Sequence, residues 1–131
     1  MRQDIQPGFI CRLDLTSLMP FDNSLLRIKL TGKQLTGYNP GKETLIYGGV
    51  RKKEGHFILL DTEQPVEPDK TYRVLINSFL YNVSPELKAA DPNPEQVDAS
   101  WRAPIIKWLV AHPTSMEKPL ETLVDRKPRA E

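Results

Sequence analysis

The sequence predicts an α+β domain with a mixed or mostly antiparallel sheet and short helices. Strand patterns, in which apolar and polar residues alternate, recur over the first eighty residues. One amphipathic helical pattern follows near residue 100. The 131 residues include 12 prolines and 7 glycines, so we expect short elements and long loops. The length suits one domain, which we place at residues 1–114, with a charged tail at residues 115–131.

The charge balance argues against nucleic acid as a partner. Lys and Arg number 18 and Asp and Glu 17, for a net charge of +1, whereas nucleic-acid binding favours a basic patch. The one basic run, residues 51–53, is followed by Glu54 and is interpreted as a solvated turn.

Cys11 lies among alternating apolar residues and is predicted to be a small buried hydrophobe. No apolar run approaches the roughly 20 residues of a membrane span, and no signal-peptide pattern is present. We therefore expect no membrane partner and no export address.

The first element is ambiguous. Alternation from Phe9 to Leu15 favours a strand, whereas Asp14 to Met19 equally fits a short helix with Asp14 as its N-cap. We favour a brief strand and then a helical turn that ends before Pro20.

The middle of the chain predicts strands separated by turns. Ser24 to Leu30 alternates clearly and predicts a strand. Thr31 then starts a helix that ends within about two turns. Thr44 to Tyr47 predicts a short strand that continues to Val50. Gly55 turns the chain into another strand, His56 to Leu60.

The strongest strand pattern lies in the stretch from Lys70 to Val83. Tyr72, Val74 and Ile76 alternate with polar residues and Leu75, after which the pattern breaks into a predicted loop. Phe79 and Tyr81 have two interpretations. They are core residues at a strand end, or they are aromatic rings at the lip of a binding site, since sites are often built on loops.

A polar, proline-rich passage at residues 84–98 precedes the clearest helix, from Ser100 to Val110. Ser100 is its predicted N-cap, and Pro104 lies in the first turn, where proline is tolerated. The helix is predicted to end at His112 and Pro113. Its apolar face is interpreted as core packing; the residues are Trp101, Ile105, Trp108 and Leu109.

No complete catalytic constellation is present in the sequence. His56 and His112 are isolated, and neither belongs to a metal-ligand spacing. No nucleophile elbow and no phosphate-binding glycine loop occurs. The residues thus favour a domain that binds or positions a ligand over one that reacts, with no cofactor in this chain.

Several segments, in order, resemble one family, the 5'-nucleotidases and UDP-sugar hydrolases. The resemblance covers about residues 2 to 112. Leu18 to Asn23 resembles the family's Leu-Pro-Phe-(Gly/Asp)-Asn element, and Leu30 to Leu35 its Leu-Thr-Gly-x-Gln-Leu. Arg2 to Ile10 resembles the end of the Asn-x-Gly-x-x-Arg motif and the segment after it. The other similar segments are Tyr47 to Val50, Thr71 to Leu80, and Trp101 to Leu109.

The resemblance implies the C-terminal, nucleotide-recognising domain of such an enzyme. A separate N-terminal metallophosphoesterase domain would carry two divalent metals and perform the hydrolysis, in a periplasmic or extracellular enzyme. By position, Phe21 and Phe79 would sandwich the nucleobase, and Arg2 would lie near the phosphate. Asn23 and Tyr81 complete the expected substrate-binding set, which contains no catalytic and no metal-ligating residue.

The sequence departs from the family after the second phenylalanine. The family's ribose-binding aspartate falls on Pro85, which offers no side-chain hydrogen bond, and Glu86 could replace it only in a reshaped loop. The alternative hypothesis is therefore a non-catalytic binding or interaction module with a degenerate nucleotide site.

Overall fold

The structure, a computed structural model, describes residues 8–38 and 48–123. Within these ranges the fold is α+β, with short helices and two small antiparallel sheets, which confirms the predicted class. The elements in chain order are α1 (Arg12–Leu18), β1 (Leu25–Thr31), α2 (Gly32–Gly37), β2 (Val50–Lys53), β3 (His56–Leu59), β4 (Thr71–Asn77), α3 (Ser78–Val83), α4 (Pro85–Ala90), β5 (Glu95–Asp98), α5 (Ala103–Ala111) and a 3₁₀ turn (Leu120–Thr122).

The three-stranded sheet has the order β4-β1-β5, so β1 is its central strand. β1 and β4 pair antiparallel along their whole length, from Leu25 opposite Asn77 to Thr31 opposite Thr71. Alternate residues of β1 are buried, as the period-two pattern predicts. They form the core with residues of α2, α3 and α4; the cluster is Leu26, Ile28, Leu30, Leu35, Tyr81 and Leu87.

The start of α2 is fixed by a capping box. The Thr31 hydroxyl accepts the Gln34 N–H at 3.2 Å, and the Gln34 side-chain oxygen accepts the Thr31 N–H at 2.8 Å. Gly32, the next residue, lies close to the loop that precedes β4. Its N–H donates to the Lys70 carbonyl at 2.9 Å, and a Cβ at this position would lie 2.1 Å from the Glu67 carbonyl oxygen. Only glycine fits this contact without a shift of the backbone.

β4 leads into helix α3, so the predicted loop after Asn77 is wrong. The Asn77 side chain accepts the Leu80 N–H at 2.8 Å and caps the helix. A second cap comes next, because the Ser84 hydroxyl accepts the Leu87 N–H at 3.3 Å and Pro85 stands in the first turn of α4. The proline-rich passage therefore contains a helix and, further on, the edge strand β5.

The ambiguous segment near the N-terminus is helix α1, and the favoured strand from Phe9 is wrong. Asp14 lies in the first turn of α1 rather than at its N-cap, and its carboxylate accepts the Cys11 N–H at 2.7 Å. Cys11 itself is exposed, which corrects its predicted burial. The reason is that Cys11 stands at a helix N-terminus, where alternation does not decide which side chains are covered.

The basic run Arg51–Lys53 lies in strand β2 and not in a turn. β2 pairs with β3 from Val50 opposite Leu59 to Lys53 opposite His56. The turn follows directly after β2, at Glu54 and Gly55, whose φ angles are both positive, 50° and 83°.

The predicted strand at residues 44–47 and the site residue Arg2 lie outside the described residues.

Helix α5 is present as predicted, with proline in its first turn, but it starts later, and Ser100 is not its N-cap. None of its nine residues, all of them described, is buried. Ile105 and Trp108 are 37% and 38% exposed, so the interpretation of this face as core packing is wrong. The core cluster takes its helical residues from α2, α3 and α4 and includes none from α5.

Candidate functional site

The two phenylalanines predicted to bind a base lie at one end of the sheet, where β1 begins and β4 ends. We call this region the aromatic end, defined by Phe21 and Phe79. The Ser24 carbonyl accepts the Ser78 N–H at 2.9 Å, and the Ser78 hydroxyl accepts the Ser24 N–H at 3.0 Å. Phe79 directly follows Ser78, and Phe21 precedes Ser24 by three residues, a reach of at most about 11 Å. The fold thus brings two residues 58 positions apart to the same sheet end.

Both rings of the aromatic end are accessible to solvent. Phe21 is 53% exposed and Phe79 is 61% exposed. Large apolar side chains gain free energy when they leave water, at about 25 cal/mol per Å² of buried surface. An exposed pair at the end of two hydrogen-bonded strands is therefore a surface on which a flat, apolar ligand gains by stacking.

The loop that carries Phe21 is held by the residues just before α5. The Phe21 carbonyl accepts the Trp101 Nε1–H at 3.0 Å and an Arg102 N–H at 3.2 Å. The same Arg102 nitrogen donates to the Met19 carbonyl at 2.6 Å, and the other terminal nitrogen bonds the Asp22 carboxylate. We call Trp101 and Arg102 the clamp. Sequence reasoning assigned Trp101 to the core and gave Arg102 no role, because an arginine by itself carries no signal of its partners.

Asn23 lies beside the aromatic end, but Tyr81 does not. The Asn23 carbonyl accepts the Trp101 N–H at 2.9 Å, and the residue is partly exposed. Tyr81 is 8% exposed and belongs to the core. Its hydroxyl donates to the Asp91 carbonyl at 2.9 Å. Of the five predicted substrate-binding residues, Phe21, Asn23 and Phe79 lie on the two chain segments that meet at the aromatic end, and Tyr81 lies in the interior; Arg2 is not among the described residues.

Pro85 and Glu86 begin helix α4, where the resembling family has its ribose-binding loop. The Glu86 carboxylate accepts the Ser84 hydroxyl at 2.9 Å. The backbone N–H of Glu86, and after it the Ser84 hydroxyl, hold the pKa of this carboxyl below its ordinary value. Glu86 is therefore an exposed anion at neutral pH, and its carboxylate is already engaged.

A cleft of about 320 Å³ lies between α2 and α4. Its apolar lining includes Leu30, Leu87 and Ala90, and Lys33 and Glu86 add one charge of each sign. These residues come from two separate segments, residues 30–38 and 86–90, so no local pattern in the sequence could have predicted the cleft. Glu86 contributes to this cleft, whose lining does not include Phe21 or Phe79.

Neither a metal-binding cluster nor a membrane-spanning helix occurs among the residues that the structure describes. Within residues 8–38 and 48–123, no group of three or more His, Cys, Asp or Glu side chains could hold a metal ion. None of the described helices is long and apolar enough to cross a bilayer. His112 stacks on Trp108 with ring centroids 4.4 Å apart.

Neither a protein-family model nor a curated protein matches this chain.

Proposed function

We propose that this chain is the nucleobase- or nucleoside-recognition domain of a 5'-nucleotidase-like metallophosphoesterase. In this proposal it has the fold of the family's C-terminal domain and takes part in hydrolysis of nucleotide phosphate esters only with a separate N-terminal catalytic domain. The observation that carries the proposal is the placement of Phe21 and Phe79, two exposed rings from distant segments, at one sheet end. The rings lie on the two motifs that resemble the family's base-binding elements.

The proposed recognition uses stacking for affinity and an amide for orientation. A base stacked on an aromatic side chain gains on the order of 1–3 kcal/mol. Asn23 offers a donor and an acceptor beside the rings, which suits the polar edge of a base. Arg2 would bind anionic phosphate oxygens through its planar fork of donors. The two divalent metals would belong to the catalytic domain, and the residues of this chain hold the substrate for it.

Calorimetry with adenosine and with AMP tests the proposal. Replacement of Phe79 by alanine removes one stacking face, so the affinity for adenosine should fall by a factor of about 5 to 150. Val83→Ala is the matched control, because Val83 lies on the same helix and is 57% exposed. The control should bind like the unaltered protein. Equal affinity of the Phe79→Ala variant and the unaltered protein would rule out the stacking role.

The second candidate function is an interaction module that keeps this scaffold without a working nucleotide site. It is favoured by Pro85, which starts a helix where a ribose-binding carboxylate is expected, and by Glu86, which is engaged with Ser84. A thermal-shift measurement separates the two functions. Nucleosides should raise the melting temperature if the first function is right, and should leave it unchanged if the second is right.

A further inference from the structure

The Arg102 side chain is largely buried, although Arg102 directly precedes α5, a helix with no buried residue. Its side chain is 16% exposed, whereas its partner Asp22 is 89% exposed. The guanidinium donates to two backbone carbonyls, those of Met19 and Phe21, and to the Asp22 carboxylate. One side chain thus bonds three of the four residues from Met19 to Asp22. A planar fork of donors can do this at once, while the single ammonium of lysine cannot.

The bonds converge on the backbone of Phe21. Its carbonyl takes a donor from Arg102 and another from the Trp101 indole. Two residues further, the Asn23 carbonyl takes the Trp101 N–H. The peptide planes on the C-terminal side of Phe21 are therefore held in place, and the direction in which its side chain leaves the backbone is held with them.

A second set of hydrogen bonds attaches the same loop to the start of α3, the helix that carries Phe79. The Ser24 carbonyl and N–H both bond Ser78, the residue before Phe79. Hydrogen bonds from the clamp thus hold the backbone at Phe21, and those between Ser24 and Ser78 hold the backbone next to Phe79. Both rings are more than half exposed.

From these contacts we infer that Arg102 is a positioning residue of the aromatic end, which fixes Phe21 at the spacing a nucleobase needs. The inference rests on the proposed function for its ligand. In this inference, the affinity for the base depends on a residue that does not contact the base. If the loop of Phe21 were disordered, it would have to become ordered when the ligand binds, and this ordering would cost binding free energy. Arg102 and Trp101 together preorganise the site.

The test compares Arg102→Lys with Arg51→Lys. Both changes keep the positive charge, and Arg51 is the matched control because it pairs with Glu63 on the β2–β3 ribbon. Adenosine affinity is measured by calorimetry, and exchange of the Trp101 indole proton by NMR. Arg102→Lys should weaken adenosine binding by at least about tenfold, as expected for the loss of hydrogen bonds from a charged group, and should speed the exchange. Arg51→Lys should change neither.

A second variant covers the case in which Arg102→Lys does not fold. Trp101→Phe removes the indole donor to the Phe21 carbonyl but keeps an aromatic ring, and it should weaken adenosine binding to a smaller extent. Its loop order is followed by exchange of the backbone amide proton of residue 101. Wild-type affinity in either folded variant would overturn the inference.

The outcomes separate this inference from the proposed function. If the unaltered protein does not bind adenosine or AMP, the proposed function fails. The exchange measurement then decides the inference by itself: faster exchange in the variants supports a positioning role in the loop, and unchanged exchange refutes it. If the unaltered protein binds and Arg102→Lys binds equally well, the proposed function stands and the inference fails.

Discussion

Two sides of this domain, the sheet side and the α5 side, are each stabilised by a different kind of interaction. The sheet side is a core of buried apolar residues around β1, where Ile28 is fully buried. On the other side, none of the described residues of α5 is buried and α1 buries only Leu15. That side is joined to the sheet end by the hydrogen bonds of the clamp. Apolar burial supplies most of the stability of a fold, whereas a hydrogen bond adds a net contribution of about 0.5–1.5 kcal/mol and fixes direction. The core therefore stabilises the domain mainly by burial, whereas the clamp fixes the loop of Phe21 by hydrogen bonds.

The largest expected difference between the two sides is in the cost of losing an apolar side chain. Ile28→Ala leaves a cavity in the core and should lower the free energy of unfolding by about 2–5 kcal/mol. Val110→Ala, on α5, removes a side chain that is 78% exposed and should change it by no more than about 0.5 kcal/mol. Urea unfolding followed by circular dichroism measures both. A similar loss in the two variants would mean that α5 is packed, and the comparison would fail.

A smaller effect is expected where α2 approaches the loop before β4. An alanine at Gly32 would place its Cβ against the Glu67 carbonyl, so the backbone must move, at a cost of about 1–3 kcal/mol. Gly37 ends the same helix, and a Cβ there would meet nothing within 4 Å. Gly37→Ala should therefore leave the stability unchanged or raise it by about 0.4–1 kcal/mol, through the lower entropy of the unfolded chain. Thermal unfolding of the two variants measures the difference; equal melting temperatures would disprove the close approach.

The smallest expected effect concerns the cap of α1, on the clamp side. Hydrogen bonds from Cys11, first that of its backbone N–H, lower the pKa of the Asp14 carboxyl below its ordinary value of 3.8. A carboxyl with a lower pKa in the folded state stabilises that state above pH 3.8, and this contribution is lost as the pH falls through the folded-state pKa. The Cys11 amide proton, followed by NMR, should shift with a midpoint below 3.8. The shift should be absent in Asp14→Ala. A midpoint at or above the ordinary value would contradict the capping bond.

Local signals predicted the elements whose structure depends on neighbours in the chain. The alternation of Leu26, Ile28 and Leu30 predicts β1 and its buried face, and a helix start at Thr31 predicts α2. Two further local signals mark helices that the strand-and-loop interpretation missed. The caps Asn77 and Ser84, the second followed by a proline, are both typical helix starts, and they accompany α3 and α4.

Less of the candidate site than of the fold could be predicted from the sequence. Phe21 and Phe79 were chosen from motif resemblance, and their common location depends on the antiparallel pairing of β1 with β4. Tyr81, two positions after Phe79, points into the core because α3 is a helix, in which residues two apart do not share a face. The role of Arg102 could not be predicted, because its three partners lie about 80 positions earlier in the chain.

The sequence by itself determined the α+β class, strand β1 with its buried face, the start of α2 at Thr31 and the absence of a strong net charge. These properties arise from the spacing of apolar residues and from side chains that bond their own neighbouring backbone. The tertiary structure alone decided which apolar faces became core, why α5 stayed exposed, and how the clamp reached the loop of Phe21. Burial and long-range hydrogen bonds depend on which segments meet in space, and strand pairing between distant parts of the chain sets those meetings.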